Sequence, residues 1–123
     1  MSYDPIEYWT SLHERDDLTA VGQSTLPAAF NHWMYKLTAR RLERFVSAHG
    51  LQPSTVIDIG AGVGYWVAWW MSHGTSKVDG CDLVPTAVDR LRSRFPGRFD
   101  TLDISMAPPR DTYDLVSILN VLH

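Results

Sequence analysis

The chain has one cysteine, Cys81, in 123 residues, so no internal disulfide can hold it together. Cys81 lies in an apolar, strand-like stretch, which predicts a packed thiol rather than a reactive one. Without a disulfide framework the chain reads as a protein of a reducing compartment, and a cytoplasmic location is expected. No Cys/His pattern has zinc spacing and no acidic cluster suits magnesium, so no metal is expected. No apolar run approaches the ~18 residues of a membrane span. The N-terminus has acids and lacks a basic segment followed by an apolar core, so it does not read as a secretory signal. Neither charge sign dominates. Eleven basic residues against 14 acidic ones give a formal net charge of −3, which leaves no electrostatic footprint for nucleic acid. The expectation is therefore no nucleic-acid partner and no membrane partner. Arg40, Arg41, Arg44, Arg90, Arg92 and Arg94 read as solvated helix surface. With 45% apolar residues the composition is that of an ordinary globular chain, and the length allows at most one domain.

What is present centres on Val56-Ile57-Asp58-Ile59-Gly60-Ala61-Gly62-Val63-Gly64. An apolar run carrying one acid leads into three glycines spaced by two, then into the apolar Tyr65-Trp66-Val67-Ala68-Trp69-Trp70. That order predicts a buried strand, a tight turn and a helix. Such a turn lets a ligand approach bare backbone. The helix start offers free N–H groups and partial positive charge to an anionic group. A dinucleotide fingerprint, G-x-G-x-x-G, would place its last glycine where Tyr65 stands. The spacing thus disfavours a pyrophosphate, although a nicotinamide-dependent half-domain with an atypical turn stays open as a third reading.

The pattern resembles motif I of the class I S-adenosylmethionine-dependent methyltransferases. Three further stretches fit that resemblance. Lys77-Val78-Asp79-Gly80-Cys81-Asp82 predicts a second strand, with Asp82 ~20 residues past the turn, where folds of this type put an acid on ribose hydroxyls. Asp79 is the alternative acid, but it falls in mid-strand. Arg98 to Ile104 predicts a third strand, with Asp100 exposed. Tyr113 to His123 predicts a fourth and looks like motif IV. The resemblance covers roughly residues 54–123. It implies S-adenosylmethionine as cofactor, with Gly60, Ala61, Gly62 and Gly64 around its methionine part and Asp58 near its amino group. It further implies Asp82 and Leu83 at the ribose, Asp103 and Ile104 at the adenine, and Asn120 and Val121 beside the sulfonium. The implied activity is methyl transfer to a small-molecule acceptor. In-line placement of acceptor and methyl supplies most of the catalysis. His123 is the candidate general base, because imidazole titrates near neutral pH.

The first half predicts helices. Pro5 opens a short helix to His13, capped by Asp4, and residues 16–25 read as a loop. A longer helix runs from Pro27 to about His49, with Phe30, Trp33, Met34, Leu37, Leu42, Phe45 and Val46 at roughly helical spacing and Gly50 as its stop. Another spans Pro85 to about Phe95. Tyr3, Tyr8, Trp9 and His13 either shape an acceptor pocket or simply pack a helix on the sheet. Phe30, Trp33 and Tyr35 read as core or interface, and the tryptophans after the turn spread too widely for a one-faced helix. The domain reading is a helical cap over residues 1–50 and a cofactor-binding half-domain over 51–123. The fold class is α/β: a Rossmann-like methyltransferase sheet with helices on both faces, cut short after its fourth strand. The family's sheet has more strands than can be counted here, so an incomplete chain is expected. Otherwise a second copy or a partner chain would have to cover the fourth strand. The runner-up function is accordingly a non-catalytic cofactor-binding subunit completed by a partner.

Overall fold

A computed structural model describes residues 4–14, 26–119 and 121. Its elements run α1 (Pro5–His13), α2 (Ala28–Ala48), β1 (Thr55–Ile59), α3 (Tyr65–Ser72), β2 (Lys77–Asp82), α4 (Pro85–Arg94), β3 (Phe99–Thr101) and β4 (Leu115–Ser117). The four strands form one parallel sheet in the order β3-β2-β1-β4. This is the predicted α/β arrangement, as seen in a Rossmann-like methyltransferase fold. Successive strands step outward from β1 to β3, and the chain then returns to place β4 on the other side of β1. Folds with such a reversal bind ligands outside the carboxyl ends of the strands, where the order switches.

Local signals fix the helix boundaries. Asp4 Oδ1 accepts from the Ile6 N–H at 2.9 Å, which satisfies one orphan donor of the first turn of α1. Pro27 and Pro85 stand at the starts of α2 and α4, where the missing N–H costs nothing. The buried stripe of α2 comprises Asn31, Tyr35, Ala39, Leu42 and Val46. Phe30 and Trp33, expected as core or interface, are instead exposed and pack on each other with centroids 5.8 Å apart. At 100° per residue they lie well off the stripe that meets the sheet. Trp66, Trp69 and Trp70 of α3 are all buried, Trp66 against Tyr35 of α2.

The main core joins Val56 and Val78 of the sheet to side chains of α2, α3 and α4. The opposite sheet face carries Ile57, Ile59 and Cys81, covered by Leu102 and Tyr113. Cys81 is a packed thiol whose pKa burial pushes up to about 11. The arginines of α4 serve structure as well as surface: the Arg92 Nε–H donates to the Phe99 carbonyl at 2.8 Å. No described helix is long and apolar enough to cross a membrane.

Two strands are shorter than the sequence suggests. β3 ends at Thr101, because Asp103 Oδ1 takes the Ser105 N–H (2.9 Å) and hydroxyl (2.6 Å) and turns the chain. β4 pairs only with β1, and its regular ladder ends at Ser117.

Candidate cofactor site

The turn after β1 is pinned to its neighbour strand. The Gly60 and Ala61 N–H groups both donate to the Cys81 carbonyl, at 2.9 and 3.0 Å. Gly60, Gly62 and Gly64 have φ of 69°, 54° and 86°. At Gly60 an added Cβ would lie 2.6 Å from Val121 Cγ2, so bare backbone is needed there for the chain after β4 to pass. The same test at Gly64 gives 2.4 Å to Phe95 Cε2 and 3.0 Å to Leu91 Cδ2. Gly64 thus lets α3 and α4 approach each other, and it is not among the crevice-lining residues. Its expected place beside a cofactor is corrected to a packing role.

A crevice of about 900 Å³, counting its mouth open to solvent, lies over the carboxyl ends of the strands. That falls within the ~300–1,000 Å³ of small-molecule sites. Of the residues singled out from sequence, Gly60, Ala61, Gly62, Asp82, Leu83, Asp103, Ile104, Trp9, His13 and Val121 line it. Tyr8, an expected cap residue, does not line the crevice and is exposed. Tyr3, Asn120 and His123 lie outside the described residues. Sequence reasoning missed Tyr35, Ile59, Val63, Tyr65, Trp66, Leu102 and Leu119, which also line it. Only the four-residue spacing of the α2 stripe through Asn31, Tyr35 and Ala39 could have signalled Tyr35.

The acids differ sharply. Asp82, at the end of β2, is buried on the crevice wall. Its Oδ2 accepts from the Gly62 N–H at 2.9 Å and its Oδ1 from the Val84 N–H at 3.0 Å. A carboxylate has about four acceptor positions, so two backbone bonds fix its orientation and leave capacity to spare. Asp103 is exposed on the rim, and its bonds from Ser105 hold its carboxyl below the usual range. Asp58, on β1, is 1% exposed. Neither of its oxygens has a hydrogen-bond partner among the described residues. Burial pushes its pKa up to about 7, and the Ser117 hydroxyl facing it across β1 and β4 eases the shift without reaching hydrogen-bond geometry. Asp79, the alternative ribose acid, is on the other sheet face and already occupied. It accepts from the Arg98 N–H at 2.9 Å and the Tyr113 hydroxyl at 2.7 Å, with Lys77 Nζ at 3.3 Å. The α1 helix closes one side of the crevice through Trp9 and His13, and the Arg90 guanidinium of α4 donates to the His13 carbonyl.

Residues 30–123 match a methyltransferase domain family. The chain belongs to that methyltransferase family. Several solved structures share the fold. The 16S rRNA methylase RmtB has 21% identity and a TM-score of 0.53, over 94% of this chain and 48% of that one. The plantazolicin methyltransferase BpumL, in complex with a triazolic desmethyl-plantazolicin analogue and S-adenosylhomocysteine, has 17% identity and a TM-score of 0.54, over 90% and 48%. CalS10 with bound S-adenosylmethionine, an amino pentose methyltransferase from Micromonospora echinaspora involved in calicheamicin biosynthesis, has 21% identity and a TM-score of 0.55, over 76% and 42%. The chain therefore spans just under half the length of these structures. A search of curated proteins finds no match. S-adenosylmethionine is the cofactor of the family.

One expectation is overturned. Net charge was taken to rule out a nucleic-acid partner, yet an rRNA methylase is among the similar structures. The balance of charges over a whole chain says nothing about the local field where a substrate docks. A modest net negative charge is therefore no ground for excluding a nucleic-acid acceptor.

Proposed function

We propose that the crevice holds S-adenosylmethionine and that this chain is the cofactor-binding half of a methyltransferase. The observation that carries the reading is Asp58. A carboxyl buried to 1% exposure, with no partner for either oxygen among the described residues, is costly unless a cation or donor arrives. It stands two residues before the first glycine of the turn. An ammonium group lodged under that turn would restore the ionised form and satisfy it, directly or through a water. When bound, the cofactor supplies an electrophilic methyl on a sulfonium. The chain's own groups would orient it. Asp82, held by two backbone N–H groups, keeps acceptor capacity for a ribose diol. Asp103, bonded to Ser105 through Oδ1, offers an acceptor at the rim for an exocyclic amine, with the Ile104 backbone beside it. Leu83 and Leu102 give the ring an apolar bed.

The finer reading is a small-molecule acceptor entering past α1. The support for it is the aromatic rim of Trp9 and His13, which suits a flat or apolar molecule. A base of an RNA strand is also a flat ring, so the acceptor assay should include both.

Calorimetric titration of the chain with S-adenosylhomocysteine and with NAD tests the cofactor. Saturable binding of the first and none of the second is expected. The reverse result would establish a dinucleotide site and end the methyltransferase reading of this crevice.

A further inference from the structure

The inner wall of the crevice carries donors that the cofactor reading above leaves unused. Tyr35 of α2 and Trp66 of α3 stack with ring centroids 5.8 Å apart and 23° between planes. Both line the crevice and both are more than nine-tenths buried, at 7% and 4% exposure. The Trp66 indole N–H has no hydrogen-bond partner among the described residues. A buried donor left unpaired bears its full desolvation cost. Tyr35 stands close enough to Asp58 to feel its charge, and burial together with that charge pushes its phenol up to about 12. It therefore stays a neutral O–H donor at physiological pH.

The polarity of this wall is complementary to one kind of ligand end. Asp58 is an acceptor without a donor; Trp66 is a donor without an acceptor. An amino-acid terminus carries an ammonium and a carboxylate on one carbon and satisfies both at once. We infer that Tyr35 and Trp66 are positioning residues that recognise the carboxylate of the ligand's amino-acid end, while Asp58 meets its ammonium. This rests on the cofactor reading, because S-adenosylmethionine ends in such a group. Two free hydrogen-bond donors from adjacent helices make that end a determinant of fit. A ligand with the same nucleoside but no amino-acid end leaves the indole and Asp58 as they were.

The test compares two ligands on the full chain. S-adenosylhomocysteine has the amino-acid end; 5′-methylthioadenosine shares the nucleoside and sulfur but lacks it. Affinities are measured by calorimetry for the unaltered chain, Trp66→Phe and Tyr35→Phe, with thermal melts alongside. Each variant should bind S-adenosylhomocysteine at least fivefold more weakly and 5′-methylthioadenosine within twofold of the unaltered chain. Tyr35→Phe removes one oxygen and keeps the stacked ring, so it reports even if the tryptophan variant melts early. Unchanged affinity for both ligands in Tyr35→Phe and Trp66→Phe would mean that a buried water serves the indole and would overturn the inference. Equal losses for both ligands in a variant that melts normally would overturn it too, by making the effect one of packing. Failure of the unaltered chain to bind either ligand would instead bring down the cofactor reading, and this inference with it.

Discussion

The two ends of the sheet treat their acids in opposite ways. Where the strands begin, the acids are occupied. Asp79 takes the Arg98 N–H and the Tyr113 hydroxyl, and Asp114 Oδ2 takes the Ser54 and Thr55 N–H groups at 2.9 and 3.2 Å. Where the strands finish, Asp58 has no partner among the described residues and Asp82 is held but not saturated. Asp79 and Asp82 are three positions apart on one strand, and both are buried. What separates a structural acid from a ligand-ready one is therefore unused hydrogen-bonding capacity facing a crevice, not spacing or burial. One end spends its acids on joining strand to strand. The other leaves them for something the fold itself does not contain.

The largest effect expected from this contrast is a pH dependence at Asp58. Its folded pKa of about 7 exceeds the model value of 3.8. Below the lower value both states are protonated and the group costs nothing. Between the two, the unfolded chain ionises while the folded chain keeps its proton, so stability falls as pH rises and levels off above 7. At 1.36 kcal/mol per pKa unit the loss comes to roughly 4 kcal/mol. Asn at this position cannot titrate. Urea unfolding of the native chain and Asp58→Asn from pH 4.5 to 8 should show the native chain losing ground steadily up to pH 7. A constant difference across that range would place Asp58 among the satisfied acids and erase the contrast between the ends. Saturating S-adenosylhomocysteine should flatten the slope, since a bound ammonium keeps Asp58 ionised.

At the other end the expectation is reversed. Asp79→Ala strips an acceptor from the Tyr113 hydroxyl and the Arg98 N–H. Hydrogen bonds to a charged group are worth about 1.5–3 kcal/mol, and the unfolding free energy should drop by about that much. Binding of S-adenosylhomocysteine by the folded protein should stay within twofold. A tenfold loss of ligand affinity with stability intact would make Asp79 a ligand acid after all.

Legibility from the sequence follows the same division. Helix ends were readable because Asp4, Pro27, Gly50 and Pro85 act within a turn of their own positions. The glycine turn was readable because strand, turn and helix are consecutive. The Asp82 carboxylate was placed by its distance from that turn, and in the fold it bonds back to Gly62. The far limits of β3 and β4 were not legible, since a side-chain turn at Asp103 and one-sided pairing with β1 decide them. Tyr35 was not legible as a crevice residue either, because its place depends on how α2 crosses α3. Gly64 read as a ligand glycine because the sequence cannot show that Phe95, from beyond α4, packs against it.

Within the crevice the comparison can be sharpened further. Asp82→Ala removes the acceptor assigned to the ribose and releases the Gly62 and Val84 N–H groups. Affinity for S-adenosylhomocysteine should fall at least tenfold by calorimetry. Unchanged affinity would take Asp82 out of the ribose role and leave it as a brace for the turn.

The smallest effect is expected at Asp103. It is exposed, and its described bonds run to Ser105, so water competes for anything it could offer a ligand. Asp103→Ala should weaken S-adenosylhomocysteine about threefold. It should weaken S-inosylhomocysteine, which carries a carbonyl in place of the adenine amine, not at all. Equal loss for the two ligands would show that Asp103 acts by shaping the turn after β3. A larger loss than at Asp82 would invert the proposed order of the crevice, making the exposed rim rather than the buried strand ends the seat of recognition.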